Sequence, residues 1–108
     1  MSRRPASATQ ITNQFRTREG TVYEITHDEI RLRIAMTFRE NPDGLGHWNA
    51  ECRVRASASR SSIAKPGITR EDALRAVARA WMAKQYVDGF PEMDWEAVAT
   101  AMRAARAI

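Results

Sequence analysis

Residues 30–58 read IRLRIAMTFRENPDGLGHWNAECRVRASA, and this stretch decides the fold. Every second residue from Ile30 to Phe38 is apolar, and the residues between them are polar or small. The alternation stops at Asn41–Gly46, where Asn, Pro and Gly collect, and it resumes from Trp48 to Ala58. Strict alternation on both sides of a turn predicts a β-hairpin with one apolar and one polar face.

The two faces determine how the hairpin pairs. Phe38 must share a face with Trp48, because both lie on the apolar side of their strands. This register also brings two pairs of like-charged residues together on the polar face, Arg33 with Arg53 and Arg31 with Arg55. Like charges directly opposite each other are unfavourable, so this face carries electrostatic repulsion.

A further strand is predicted before the hairpin, at Thr21–His27. If Asp28-Glu29 is a two-residue turn, Glu24 lies opposite Arg33 on the polar face. An acidic residue opposite a basic one, with apolar residues paired on the other face, supports this register.

Two helices are predicted after the hairpin. Ala56–Lys65 is small and polar, which indicates a fading strand end and a loop. Thr69 is a good N-cap with Asp72 three residues later, so a helix is predicted from there to about Val87. A second helix is predicted after Asp94, another capping residue. Their predicted buried stripes are Leu74, Val77, Ala78, Trp81 and Met82, and Trp95, Val98, Met102 and Ala105.

These elements predict an α+β fold in the order β-β-β-α-α, with a three-stranded antiparallel sheet and both helices on its apolar face. We leave open a fourth, edge strand at Ile11–Phe15. Residues 1–18 are otherwise predicted to be a mobile basic tail, because they offer little apolar surface to bury. Residues 19–108 are then a single domain.

The net charge of +4 lies mainly near the N-terminus. Residues 1–19 contain four arginines and one glutamate, whereas residues 20–108 have a surplus of only +1. Nucleic-acid binding would therefore need a local basic face. The longest apolar runs are only a few residues, so no membrane span is expected. A single cysteine excludes an internal disulfide, and we expect a cytoplasmic location.

Residues that could support catalysis or metal binding are sparse. Cys52 falls on the apolar face and His47 on the other, so the two form no Cys–His dyad. His27 and His47 lack the spacing of metal ligands. The glycines of Asn41–Gly46 come without the lysine and the following helix of a phosphate-binding loop. We therefore expect neither an enzyme nor a metal site, and no cofactor.

The polar face of the hairpin is the candidate site. Its candidate anion- or nucleic-acid-binding residues are Arg31, Arg33, Arg39, Arg53 and Arg55. Guanidinium groups on a rigid sheet can contact successive phosphates and release counterions. The competing interpretation is a solvated face with ion pairs to Glu24 and Glu51. The aromatic residues are expected on the opposite face, which argues against base stacking.

The expected function is that of a small interaction module that binds through its sheet face, its sheet edge or its basic tail. The alternative is non-sequence-specific binding to a nucleic-acid backbone through the arginine-rich face. The sequence leaves the partner unknown: a protein and a nucleic-acid backbone both stay open, and no membrane is expected. A monomer is favoured over a homodimer, since charged residues near the first strand discourage edge-to-edge pairing.

Overall fold

The computed structural model describes residues 9–55 and 60–108. Within these residues, five strands form one antiparallel sheet, in which each strand pairs with its neighbours in sequence. The strands are β1 (Thr9–Arg16), β2 (Gly20–His27), β3 (Ile30–Glu40), β4 (Gly46–Arg55) and β5 (Arg60–Gly67). The helices are α1 (Arg70–Val87) and α2 (Trp95–Ala104).

The α+β class, the antiparallel sheet and the two C-terminal helices are confirmed, whereas the predicted strand number is wrong. The sheet has five strands rather than three or four. One extra strand is β1, which contains the possible edge strand at Ile11–Phe15. The mobility of a tail at residues 1–18 stays a prediction, although residues 9–16 belong to the sheet; residues 1–8 lie outside the described residues.

The other extra strand is β5, which corrects the loop predicted over Ala56–Lys65. Ser61 and Ile63 are buried against the core, while Ser62 and Ala64 face solvent. The alternation is therefore present, but one large apolar residue in a serine-rich segment is too weak a signal for a strand. Residues 56–59 of the predicted loop lie outside the description.

Both predicted hairpin registers are confirmed. Glu24 lies opposite Arg33 across β2 and β3. Phe38 lies opposite Trp48 across β3 and β4, and the same ladder pairs Arg33 with Arg53 and Arg31 with Arg55. The turn between β2 and β3 closes with Asp28 at φ 53°. Asp tolerates this left-handed conformation better than most residues do.

A β-bulge in β1 sends its two large apolar residues to opposite faces. Ile11 lies opposite Ile25, and Phe15 lies opposite Val22, because the register shifts between Ile11 and Asn13. Ile11 packs against the core, whereas Phe15 is on the other face of the sheet. A bulge is a common device for redirecting side chains at a sheet edge.

The helices cover one face of the sheet and enclose a single core. Helix α1 packs on β4 and β5, and α2 packs beside β1. Trp81 is completely buried, and its indole N–H donates to the carbonyl of Pro91 at 2.8 Å. The predicted stripes are correct except at two residues, since Met82 is 48% exposed and Ala105 also faces solvent.

The predicted caps are present at the N-termini of both helices. The Thr69 side chain accepts a hydrogen bond from the backbone N–H of Asp72 at 3.1 Å. The Asp94 side chain accepts one from the backbone N–H of Ala97 at 3.0 Å. These bonds satisfy amide groups that the first turn of a helix leaves without partners.

Candidate anion-binding face

The side of the sheet that faces away from α1 and α2 carries the candidate site, and we call it the open face. Direct cross-strand neighbours share a face, so the ladder defines rows of side chains across the strands. One row contains Thr26, Arg31, Arg55 and Arg60, and the adjacent row contains Glu24, Arg33, Arg53 and Ser62. Five arginine positions therefore lie within two neighbouring rows.

Three of the five predicted site residues line one depression on the open face. Its volume is about 540 Å³, and Arg31, Arg33 and Arg53 contribute to its walls. Thr12, Glu24 and Thr26 supply further polar groups there. The depression therefore brings arginine side chains from β3 and β4 together around one space.

The other two predicted residues have different positions. Arg39 belongs to the same strand as Arg33 but is about 20 Å away along it, at a rise of roughly 3.3 Å per residue. Its guanidinium lies 3.9 Å from the Glu19 carboxylate. For Arg55 and Arg60 the structure describes the strand register only, which places both in the row of Arg31. Arg39 is thus separate from the group formed by the others.

The ion pairs on the open face are long and solvated. Arg33 lies 3.8 Å from Glu24, and Arg53 lies 3.8 Å from Glu51. All four side chains are 40% to 54% exposed. Exposed pairs of this kind contribute little stability, so they can rearrange at small cost when another anion approaches. Arg31 has no ion pair with any described residue. The face therefore keeps a positive surplus.

Two residues of this face were missed by sequence reasoning. Arg60 was missed because the sequence predicts a loop where β5 lies; the only signal was the alternation around Ile63. Phe15 was missed because the expectation that all aromatic residues lie on the opposite face is wrong. Phe15 is 38% exposed on the open face, with the guanidinium carbon of Arg33 5.6 Å from the centroid of its ring. Phe15 is four residues after Ile11, and in a regular strand this spacing places both side chains on the same face. Nothing in the sequence reveals the bulge.

The other side chains that could act as nucleophiles or metal ligands are buried or lie beside a neighbouring polar side chain. Cys52 is fully buried, and burial raises the pKa of its thiol far above the usual range. His27 is buried beside the Thr9 hydroxyl, on the helix side of the sheet. His47 Nδ1 lies 2.8 Å from Asn41 Oδ1 at the β3–β4 loop. Within residues 9–55 and 60–108, no three His, Cys, Asp or Glu side chains are grouped to hold a metal.

The fold and the site define a five-stranded meander with two helices on one face and an arginine-rich surface on the other. Neither described helix is long and apolar enough to cross a membrane. Searches of protein-family models, curated proteins and solved structures find no match for this chain.

Proposed function

We propose that this protein is a small interaction module that binds the phosphate backbone of a nucleic acid through its open face. The observation that carries the proposal is the convergence of Arg31, Arg33 and Arg53 around one depression. Arg39 lies apart from this group on β3, and the register adds Arg55 from β4 to it. The proposal is for a binding protein and includes no catalytic step, metal or cofactor.

The arrangement of the arginines suits a repeating anion. Same-face neighbours on a strand, such as Arg31 and Arg33, are separated by about 6.6 Å, and adjacent strands by about 4.8 Å. Guanidinium groups on such a lattice can each engage a phosphate through a planar fork of donors. Several contacts can then form at once along a flexible polyanion.

The like-charged neighbours support the same interpretation. Arg33 lies opposite Arg53, and like charges so placed repel each other in the free protein; the register also places Arg55 opposite Arg31. Arg60, opposite Arg55, extends the second pair to a third strand. A bound phosphate would relieve this repulsion, whereas a face selected for stability alone would alternate charge across the strands.

The binding should be weak, insensitive to sequence and strongly dependent on salt, because exposed guanidinium–phosphate contacts act mainly through counterion release. The proposal places the protein in the cytoplasm, where its free cysteine and a nucleic-acid partner both fit. The competing partner is an acidic protein surface. If that is the partner, oligonucleotides should not bind.

The test compares three double charge reversals in the full-length chain. The first is Arg33→Glu with Arg53→Glu on the open face. The second is Arg75→Glu with Arg79→Glu on α1, and the third is Arg3→Glu with Arg4→Glu near the N-terminus. All three change the net charge equally. Each is titrated with labelled oligonucleotides of about 12 nucleotides, from ~20 mM to ~200 mM salt.

We expect only the open-face variant to lose most of its affinity. The slope of log K against log salt should fall by about 0.7 for each phosphate of a single strand that the variant no longer neutralises. Equal reductions of affinity in all three variants would show a response to net charge alone. A reduction confined to the Arg3/Arg4 variant would assign binding to the N-terminal residues, and no binding at ~20 mM salt would exclude the proposal.

A further inference from the structure

We propose that the ligand of the open face is a single-stranded nucleic acid and that one of its bases stacks on the ring of Phe15. This inference rests on the proposed function, because it uses the same arginines to hold the phosphates. It adds a contact to a base, which the arginines alone do not require.

The first step of the argument is the position of Phe15. The register shift between Ile11 and Asn13 turns Phe15 away from the core and onto the open face. The extra residue at this bulge, Thr12, donates a hydrogen bond through its hydroxyl to the carbonyl of Glu24 at 3.2 Å. Asn13 donates through its side-chain amide to the Glu24 carboxylate at 3.0 Å. These contacts anchor the bulge and so fix the face of the sheet on which Phe15 lies.

The second step is the surroundings of the ring. Phe15 lies in the row with Val22, Ala35, Glu51 and Ala64, directly beside the row that contains Arg33 and Arg53. Most of its row neighbours have small side chains, so little side-chain volume lies next to the ring. Phe15, which is 38% exposed, thus lies in the row next to the arginines that line the depression.

The third step is the chemistry of the combination. Proteins that bind single strands without sequence preference combine a basic groove along the backbone with aromatic rings under the bases. In the free protein the Arg33 guanidinium lies over the Phe15 ring, 5.6 Å from its centroid, and Arg33 also lines the depression. A base that stacks on this side of the ring would take the place of the guanidinium, which would then engage a phosphate. In a duplex the faces of the bases are stacked on each other, and an aromatic ring on a sheet has no access to them.

The test separates base stacking from phosphate binding. Three ligands of equal length are titrated at low salt: an oligothymidylate of about 12 nucleotides, an abasic strand with the same phosphates, and a duplex. The variants are Phe15→Leu, Phe15→Tyr and the matched control Phe38→Leu. Phe38 is also an exposed aromatic residue in a strand, 45% exposed, but it lies on the opposite face. Thermal unfolding verifies that every variant is folded.

We expect the wild type to bind the oligothymidylate more tightly than the abasic strand. Phe15→Leu should weaken oligothymidylate binding by roughly 5- to 150-fold, the range for removal of one stacked base, and leave the abasic strand unchanged. Phe15→Tyr and Phe38→Leu should behave like the wild type. The preference for the single strand over the duplex should disappear in Phe15→Leu.

Two results would overturn the inference while the proposed function stands. In the first, the oligothymidylate and the abasic strand bind equally well and Phe15→Leu changes neither. In the second, Phe15→Leu weakens both ligands by the same factor, which would mean that the ring only positions Arg33. If none of the three ligands binds, the proposed function itself is wrong.

Discussion

Cys52 illustrates how a potentially reactive residue is made inert by its position. It lies in the middle of β4, opposite Ile34 on one side and Ile63 on the other, and none of its surface is exposed. Burial raises the pKa of the thiol because the thiolate would lose its hydration. The residue therefore acts as a small apolar side chain.

The expected consequence is that the native protein does not react with an aromatic disulfide reagent at about pH 8, where a free thiol reacts readily. In denaturing urea the same protein should release one equivalent of the reagent's thiol. The reaction is followed by absorbance. Rapid stoichiometric labelling without denaturant would show that Cys52 is accessible and that the assigned faces of β4 are reversed.

Leu32 and Val77 test the core from both layers. Leu32 is 2% exposed on β3 and Val77 is completely buried on α1. Replacing either by alanine should lower the free energy of unfolding, by about 2–5 kcal/mol for Leu32 and somewhat less for Val77, whose side chain is smaller. Urea unfolding provides the measurement. Ile68→Ala is the control, since Ile68 is 83% exposed and should change stability by less than about 0.5 kcal/mol.

At the scale of elements, an ion pair connects the two helices. Arg103, in the last turn of α2, donates to the Glu71 carboxylate, in the first turn of α1, at 2.7 Å. This hydrogen bond and the charges of Arg103 and Arg75 lower the pKa of Glu71 from its ordinary value of 4.5. A carboxyl group with a lowered pKa in the folded state stabilises the protein above its unfolded pKa, and the stabilisation is lost as the pH falls.

Glu71→Gln should therefore lower the melting temperature at pH 7, and the difference from the wild type should shrink as the pH falls below the ordinary value of 4.5. The effect should be small, because the pair is exposed to solvent. Glu92→Gln makes the same chemical change at an exposed residue that forms no ion pair with a described residue, and it should leave the melting temperature unchanged at both pH values. An equal difference at neutral and acidic pH would show that charge is not the cause.

The elements also differ in how much of their structure could be predicted from the sequence. Strands β3 and β4 were predicted with their register because each alternates over many residues and their faces must match. The two edge strands bury less and so need fewer large apolar residues. Strand β5 has one, Ile63, and β1 has Ile11 and Phe15 on opposite sides of a bulge. Edge strands gain much of their order from the neighbouring strand, which a local pattern cannot reveal.

At the scale of the whole molecule, the sequence predicted the part of the candidate site that lies on β3 and β4. Arg31, Arg33 and Arg53 were expected together because they occupy one face of a confirmed hairpin. Arg60 and Phe15 come from the edge strands, and their places depend on pairing and on a one-residue bulge. Stacking on Phe15 could be proposed only after the structure was known, because the bulge determines the face on which the ring lies.

The two edges of the sheet determine whether the molecule associates. An uncovered edge strand offers unpaired backbone groups to a second copy. Strand β1 is interrupted by the bulge between Ile11 and Asn13 and ends in Arg16, both of which disfavour pairing. Strand β5 carries Pro66, which has no N–H to donate, and packs against α1. Both edges thus have features that oppose regular pairing, and these features differ in their response to salt.

We therefore expect a monomer of 12.2 kDa at tens of micromolar, measured by sedimentation or light scattering. The measurement is made at low salt and again at about 0.5 M salt, where charge repulsion is largely screened. The bulge and Pro66 act sterically, so the monomer should persist at both concentrations of salt. A species of about twice the mass at high salt only would show that charge alone protects the edges. A dimer at both would mean that β1 or β5 pairs despite these features, and its sheet would extend the open face across two copies of the chain.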